Sequence, residues 1–593
     1  MSSSRSKLLH DRIAELARIY PENVAIRTEL RSCTFRQLDD RANQFAHCLL
    51  NAGVRPETRV GVHLGRSIEL IVAIVAVLRA GGTYVPLDPN YPASRRRFMR
   101  VDAGVAVVVC SNDWPWQPDD VAIINIDGDP GTFPTVPPHI PLSDRTAAYI
   151  IYTSGSTGAP KGALVSHASV VDYLAELTHF CSMSPADITL HISSISFDPS
   201  IRDIFCGLWS GGRVVMLAED RRLDMDAYID TIVHEQVTSL LSITPTFLAE
   251  LIVVASHRTG RLGALKRILT CGEPLLASLA ERVAHRFPGA NLVNQYGPTE
   301  CTMTSTRYTV RLDRLDRGIP IGRPRPGVSV FVLDDGLETV SGGTVGELYI
   351  GGPGLARGYV GAPGLTAAHF IAWSNGQRLY RTGDLARCNV DGDLEFVGRS
   401  DSQIKLRGMR IEVGEIEAAL SRLRGVHQAA VAVRRDAAGD DYLAAFVVAR
   451  ECPINEEELR RALHDTLPSV MVPRTIQTLE QLPTTLTGKI DRATLVEWPD
   501  VPSGCNPVSS PQADPLTDTV MAIWRDVLGV EVVSPDDSFF RLDGSSLKAM
   551  RIVSRINEQF GTMVSVRTLF DADDVPTFCD AIEHQMKELS STS

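Results

Sequence analysis

Eleven cysteines are scattered through the 593 residues without a CxxC pair, and no histidines cluster at metal-ligand spacing. That excludes a disulfide framework and a zinc site, and suits reduced thiols in a reducing compartment. Long apolar runs are also missing. The longest unbroken one, Leu70–Leu78, falls well short of the ~20 residues that span a bilayer. The opening residues, MSSSRSKLLHDR, hold no apolar signal core, so a cytoplasmic protein without a membrane partner is expected. Positive charge is in deficit, with 59 Lys and Arg against 71 Asp and Glu. The net charge of −12 argues against a nucleic-acid partner.

What is present is a long, ordinary soluble composition. One core cannot serve this length, and about three or four domains are expected. Up to residue 145, helical and strand patterns alternate. LLHDRIAELARIY and FRQLDDRANQFAHCLLNAG read as helices, the second closed by Gly53. RVGVHL and VAVVVCS read as strands around the apolar helix IELIVAIVAVLRAGG. This rhythm predicts a largely parallel sheet covered by helices.

The most informative stretch is Tyr152–Gly162, YTSGSTGAPKG. Upstream, Ala147–Tyr152 reads as a buried strand. Downstream, SHASVVDYLAELTHF reads as a helix with Ser166 as N-cap. A glycine-rich turn between strand and helix can present backbone N–H groups to phosphate oxygens. The hydroxyls of Thr153, Ser154, Ser156 and Thr157 add donors and Lys161 adds a cation. No GK[ST] closes the loop, so it is not a Walker loop. Its wording resembles the phosphate loop of the adenylate-forming superfamily, which includes nonribosomal peptide synthetase adenylation domains, acyl- and aryl-CoA ligases and luciferases.

The resemblance continues in family order. It implies an α/β multidomain protein with a large α/β N-terminal subdomain over 1–400 and a small α+β subdomain over 401–498. A linker over 499–514 and a small helical-bundle carrier domain over 515–593 are expected to follow. Thr153 to Gly158, including Gly155, would bind ATP. NQYGPTE implies that Tyr296, followed by Gly297, stacks on adenine, that Thr299 touches the α-phosphate and that Glu300 holds Mg2+. YRTGDLA implies Asp384 on the ribose. GRSDSQIKLRGMRIEVGEIEAAL implies Arg399 as a further nucleotide contact and Asp401 as the hinge between subdomains. LTGKIDR implies that Lys489 reaches the substrate carboxylate and α-phosphate.

FDPSIRD carries the substrate reading. Asp198–Pro199 looks like an N-cap and first helical residue. In amino-acid-activating members the Asp of this motif binds the α-ammonium, and the carboxylate and ammonium offset each other's desolvation. Arg202, one turn on, shares its helix face. Its planar fork suits a second carboxylate, which predicts an acidic amino acid: glutamate, α-aminoadipate or aspartate. The bland alternative is an internal ion pair with Asp198 or Asp203. By motif, Ser242, Leu269, Cys271, Gln295, Met303 and Thr304 complete the pocket wall.

Trp498–Pro515 is proline-rich, as linkers are. Beyond it, DSFFRLDGSSLKAM resembles the carrier motif in which a serine, here Ser546, receives 4′-phosphopantetheine; Asp543 stands where the family usually has glycine. A phosphopantetheinyl transferase is thereby an implied partner. No HHxxxDG condensation motif and no GxSxG thioesterase elbow occur. A downstream condensation or tailoring enzyme acting in trans, and a small accessory protein, are further implied partners. The implied chemistry is ATP- and Mg2+-dependent formation of aminoacyl-AMP, then transfer to the phosphopantetheine thiol. A CoA-dependent acyl or aryl ligase, or a silent scaffold, would be the alternatives.

Overall fold

The computed structural model describes residues 8–112, 121–131, 133–155, 158–222, 224–256, 263–401, 403–406, 408–436, 441–450, 454–484, 490–499, 515–530, 532–537, 539, 542, 546–562, 564–572 and 574–591. Two large sheets dominate the first 360 residues. Seven strands run in the order Gly358–Tyr359, Lys161–Ser166, Ala147–Thr153, Thr83–Pro86, Arg59–His63, Val107–Cys110, Ala122–Asn125. The last five are mutually parallel, as the alternating pattern predicts. The helix Ile68–Arg79 packs beside them with every residue buried, because its sequence is apolar around nearly the whole circumference.

The second sheet has nine strands. Its centre is six parallel strands in the order Asn291–Tyr296, Arg267–Cys271, Ser239–Ile243, Ile188–His191, Arg213–Met216, Val24–Thr28. An antiparallel sheet built on Gly346–Gly351 and Arg378–Cys388 follows. After residue 400 come a hairpin of Gln403–Leu406 and Met409–Glu412, the helix Val413–Ser421, and a sheet of Val426–Arg435, Asp441–Ala449 and Thr475–Leu479. Helices Pro515–Leu528, Ser546–Phe560, Val566–Asp571 and Val575–Ser591 form the C-terminal piece around Trp524, Phe539 and Phe578. No helix of the described residues is long and apolar enough to cross a membrane.

Two local expectations are corrected. The loop after Ala147–Thr153 does not lead into a helix. It returns as the antiparallel strand Lys161–Ser166, and the helix His167–Phe180 starts only after that strand, capped by Ser166 as expected. KGALVS alternates too weakly to reveal a strand by itself; pairing with Ala147–Thr153 on one side and Gly358–Tyr359 on the other makes it one. Asp198 does precede Pro199 at the helix start, but its side chain makes no capping bond. Its carboxylate is turned to other donors, described next.

Candidate active site

Three parallel strands of the nine-stranded sheet, Ser239–Ile243, Arg267–Cys271 and Asn291–Tyr296, end at one level. Register pairs Cys271 with Gln295 and Thr270 with Ile243. Ser242, Cys271 and Gln295, far apart in sequence, therefore share one rim, at the carboxyl ends where ligands of such sheets bind. The helix Pro199–Trp209 lays Asp198 and Arg202 along the same rim. A cavity of about 870 Å3 opens there, lined by Asp198, Pro199, Arg202, Ser242, Cys271, Gln295, Met303 and Thr304. Leu269 is the exception. It is wholly buried in the core and absent from the cavity wall, one pleat further from the strand end than Cys271.

Asp198 accepts from the Thr299 hydroxyl at 3.0 Å and the Met303 N–H at 3.1 Å. Thr302 and Met303 both have positive φ, 57° and 68°. Side chains rarely tolerate that region, and such strain collects where function demands a direction. Here the turn aims the Met303 N–H at the carboxylate. Burial raises the Asp198 pKa to about 6, against the opposing pull of Thr299 and Arg202.

Arg202 is 1% exposed and surrounded by neutral acceptors. Nε donates to Ser242 Oγ at 2.8 Å; one terminal nitrogen reaches Tyr173, Gln295 and Thr304; the other reaches Cys271 Sγ at 3.1 Å. The suggested ion pair does not form: no carboxylate of the described residues lies within 4 Å of its guanidinium. Asp203 instead accepts the backbone N–H groups of Ile192 and Ser193, both at 3.0 Å. Burial works against the guanidinium's charge, but the Tyr173 hydroxyl, the Cys271 thiol and Asp203 outweigh it and raise its pKa. Gln295 Nε2 is buried with no partner among the described residues.

The residues expected to meet the nucleotide gather beside this pocket. Thr153, Ser154, Tyr296, Gly297, Thr299, Asp384 and Arg399 all line the same cavity. Asp384 accepts from the Tyr296 hydroxyl and the Arg399 guanidinium. Thr153 Oγ1 is buried and unpartnered among the described residues. At Gly155 an added Cβ would fall 1.8 Å from the Ala159 carbonyl oxygen, so the turn closes only with glycine. Gly158 closes the turn through its N–H to the Gly155 carbonyl. Ser156, Thr157 and Lys489 lie outside the described residues, as does everything beyond the backbone of Ser546. Asp401 is exposed and binds Arg399 through two contacts of 2.7 Å.

Glu300 is fully buried. Oε1 accepts from Tyr359 at 2.7 Å, Oε2 from Arg410 at 2.9 Å, and Lys161 Nζ stands 3.8 Å away. Burial would raise its pKa, but Arg410 and Lys161 prevail and lower it to about 2. Burial lowers Lys161 to about 8. No cluster of three or more metal-ligating side chains occurs among the described residues. One carboxylate fits Mg2+ that arrives with phosphate oxygens and does not fit a resident ion.

The hairpin 403–412 is what sequence reading missed. It enters the site from the far side of Asp401. Ser154 Oγ donates to the Arg410 carbonyl at 2.7 Å and accepts the Glu412 N–H at 3.1 Å. The Lys405 ammonium lies 5.1 Å from the centre of the Tyr296 ring, over the ring expected to meet adenine. Gly408, at φ 74°, leaves no room for a Cβ, which would meet Thr244 Cγ2 at 2.3 Å. The turn dipeptide at Arg407–Gly408 between two short alternating runs was the available signal. On the other side, the buried pair Arg95–Glu415 joins segments before and after Asp401 at 2.7 Å. The helix Ser546–Phe560 adds Met550 to the cavity wall. It is held by Arg551 on Glu250, Ser554 on Asp226 at 2.5 Å and Lys548 on Asp436 at 3.4 Å.

Strand-end pocket, nucleotide cleft and a separate helical bundle together define an adenylate-forming enzyme joined to a carrier. The chain belongs to the AMP-binding enzymes: the profile of that family matches residues 13–360, and that of the AMP-binding enzyme C-terminal domain matches 415–489. A phosphopantetheine attachment site matches 518–582. AMP-binding enzymes use ATP and Mg2+, and the attachment site carries phosphopantetheine covalently. The chain is 37% identical over 98% of its length to part of bacitracin synthase 3 of Bacillus licheniformis, and 38% identical over 97% to part of a dimodular nonribosomal peptide synthase of Bacillus subtilis. It spans 9% and 25% of those two proteins. Among solved structures it resembles holo-PA1221, an NRPS protein containing adenylation and PCP domains bound to a vinylsulfonamide inhibitor. That match has a TM-score of 0.80 and 28% identity, covering 98% of this chain and 97% of that one.

Proposed function

We propose that the chain activates an amino acid as its adenylate and transfers the acyl group to its own carrier domain, for nonribosomal peptide or related biosynthesis. The substrate is an acidic amino acid: glutamate, α-aminoadipate or aspartate. The observation that supports this choice is the buried Arg202 guanidinium, which has only neutral partners, beside the unpartnered Gln295 Nε2. A buried cation calls for a counter-charge, and a substrate carboxylate would supply one with bidentate geometry. Asp198 would hold the α-ammonium, fixing the carboxylate end toward the nucleotide cleft.

In the first half-reaction the chain's task is positioning and charge neutralisation. Loop Thr153–Gly158, Tyr296, Asp384 and Arg399 would bind ATP, Glu300 would hold Mg2+, and Lys161 and Lys489 would supply positive charge to the phosphates. Thr299 would keep contact with the α-phosphate, and its bond to Asp198 links the two subsites. Rotation about Asp401 would then exchange Lys489 for the hairpin 403–412. Phosphopantetheine on Ser546 supplies the thiol that receives the acyl group. The single cavity running from Arg202 to Met550, one turn along the helix from Ser546, supports that route. A phosphopantetheinyl transferase, partner synthetase modules in trans, a small accessory protein and a cytoplasmic setting complete the proposal.

Amino-acid-dependent exchange of labelled pyrophosphate into ATP tests it. One dicarboxylic amino acid is expected to dominate a panel, and Arg202→Leu should lower its kcat/KM by about 100-fold or more while improving apolar acids. Dominance of an aliphatic acid in the wild type would refute the acidic pocket. Ser546→Ala should show full exchange and no covalent loading by mass spectrometry. Lys489→Ala should lose exchange but still accept acyl groups from supplied adenylate; equal loss of both would refute its assignment to the first step.

A further inference from the structure

We propose that Arg410 stands in for the divalent cation at Glu300, so that the metal and the seated hairpin exclude one another. The inference rests on the reading of Glu300 as the metal-holding carboxylate. Glu300 is fully buried, and a buried carboxylate needs positive charge beside it at every stage. Its Oε1 is taken by the Tyr359 hydroxyl, and Lys161 stands off at 3.8 Å, itself shared with Glu412 at 4.0 Å. Only Oε2 accepts a full charge-assisted bond, from Arg410 at 2.9 Å. That is the oxygen a metal would need.

Arg410 is not placed there by accident of a long side chain. Its own carbonyl and the Glu412 N–H are both tied to Ser154 of the phosphate loop. The guanidinium is therefore delivered with the backbone of the strand Met409–Glu412. That strand lies beyond the exposed Asp401, whereas Glu300, Tyr359 and Lys161 lie before it. Turning the small subdomain away removes the guanidinium and leaves Glu300 with Tyr359 and Lys161, open to a hard cation. Turning it back restores the chain's own charge once the metal has left with pyrophosphate. A guanidinium and a divalent ion cannot share one carboxylate oxygen, because their repulsion is poorly screened in a buried site. Arg410 is thus a positioning residue that couples loss of the metal to seating of the hairpin.

Mn2+ binding to the intact chain in the presence of α,β-methylene-ATP, whose phosphate oxygens complete the shell, read by electron paramagnetic resonance, tests this without amino acid or turnover. A site covered by Arg410 most of the time binds with an affinity reduced by the uncovered fraction. Arg410→Gln is expected to bind Mn2+ about tenfold more tightly than wild type. The gain should vanish in the Arg410→Gln/Glu300→Gln double variant, and Arg410→Lys should bind more like wild type. A twofold change or less in Arg410→Gln, or a gain that survives loss of Glu300, would overturn the proposal. If Arg410→Gln fails to fold, hydrogen exchange decides instead. Mn2+ with α,β-methylene-ATP should speed exchange of the 403–412 amides in wild type, and unchanged protection would overturn the proposal. Neither readout depends on which amino acid is activated, so failure here leaves the substrate reading standing, and the reverse.

Discussion

Asp198→Asn is expected to reduce amino-acid-dependent pyrophosphate exchange by about a thousandfold, the loss of one buried charge pair at ~4 kcal/mol. The amide keeps the shape and can still meet Thr299, but it cannot neutralise an ammonium in a buried site. The effect should fall on the amino acid, with the KM for ATP little changed. Acidity gives a second readout. Burial raises the carboxyl of Asp198 to about 6. Above that pH it is ionised and ready for the ammonium. Below it the carboxyl must first give up a proton, so the apparent KM for the amino acid should rise about tenfold per pH unit. The Asn variant should lack this acidic limb. An Asp198→Asn enzyme with normal KM, or with the same acidic limb, would show that the ammonium is held elsewhere.

Gly155→Ala should raise the KM for ATP, or lower kcat/KM, by about 100-fold, the cost of misplacing a positioning loop by roughly an ångström. The added Cβ meets a backbone carbonyl 1.8 Å away, and a backbone atom cannot step aside as a flexible side-chain end can. The loop is a connection between two paired strands, so the strands themselves should survive. Calorimetry should therefore show a melting temperature within a few degrees of wild type, because the change is confined to one connection whose flanking strands keep their pairing. Near-normal ATP kinetics in this variant would mean that the loop does not cradle the phosphates.

Most elements were readable because their signals are local. Apolar spacing marks the helices Leu9–Ile19 and His167–Phe180, and an apolar β-branched run marks Ala147–Thr153. Lys161–Ser166 was not readable, since a strand with weak alternation depends on the neighbours it pairs with. Asp198 and Arg202 were readable as one face of one helix. Their company was not. Ser242, Cys271 and Gln295 meet only because parallel strands end in register, and Leu269 drops out of the wall because depth along a strand is a property of the sheet. Arg202 illustrates the limit best. Sequence offered an ion pair with Asp203 as readily as an empty fork. Packing sends Asp203 to two backbone N–H groups and leaves the guanidinium with neutral partners.

By itself the sequence determined the class of protein, through motifs that resemble one family and occur in its order, from YTSGSTGAPKG through FDPSIRD and NQYGPTE to DSFFRLDGSSLKAM. Each is weak alone, and their order as a set carries the reading. Only the tertiary structure decided which charges face one another. Arg410 reaches Glu300 across 110 positions of sequence, and Arg95 reaches Glu415 across 320. Those pairs join parts of the chain on opposite sides of Asp401, and a contact between segments so far apart is set by how whole sheets and helices pack, which no local pattern encodes.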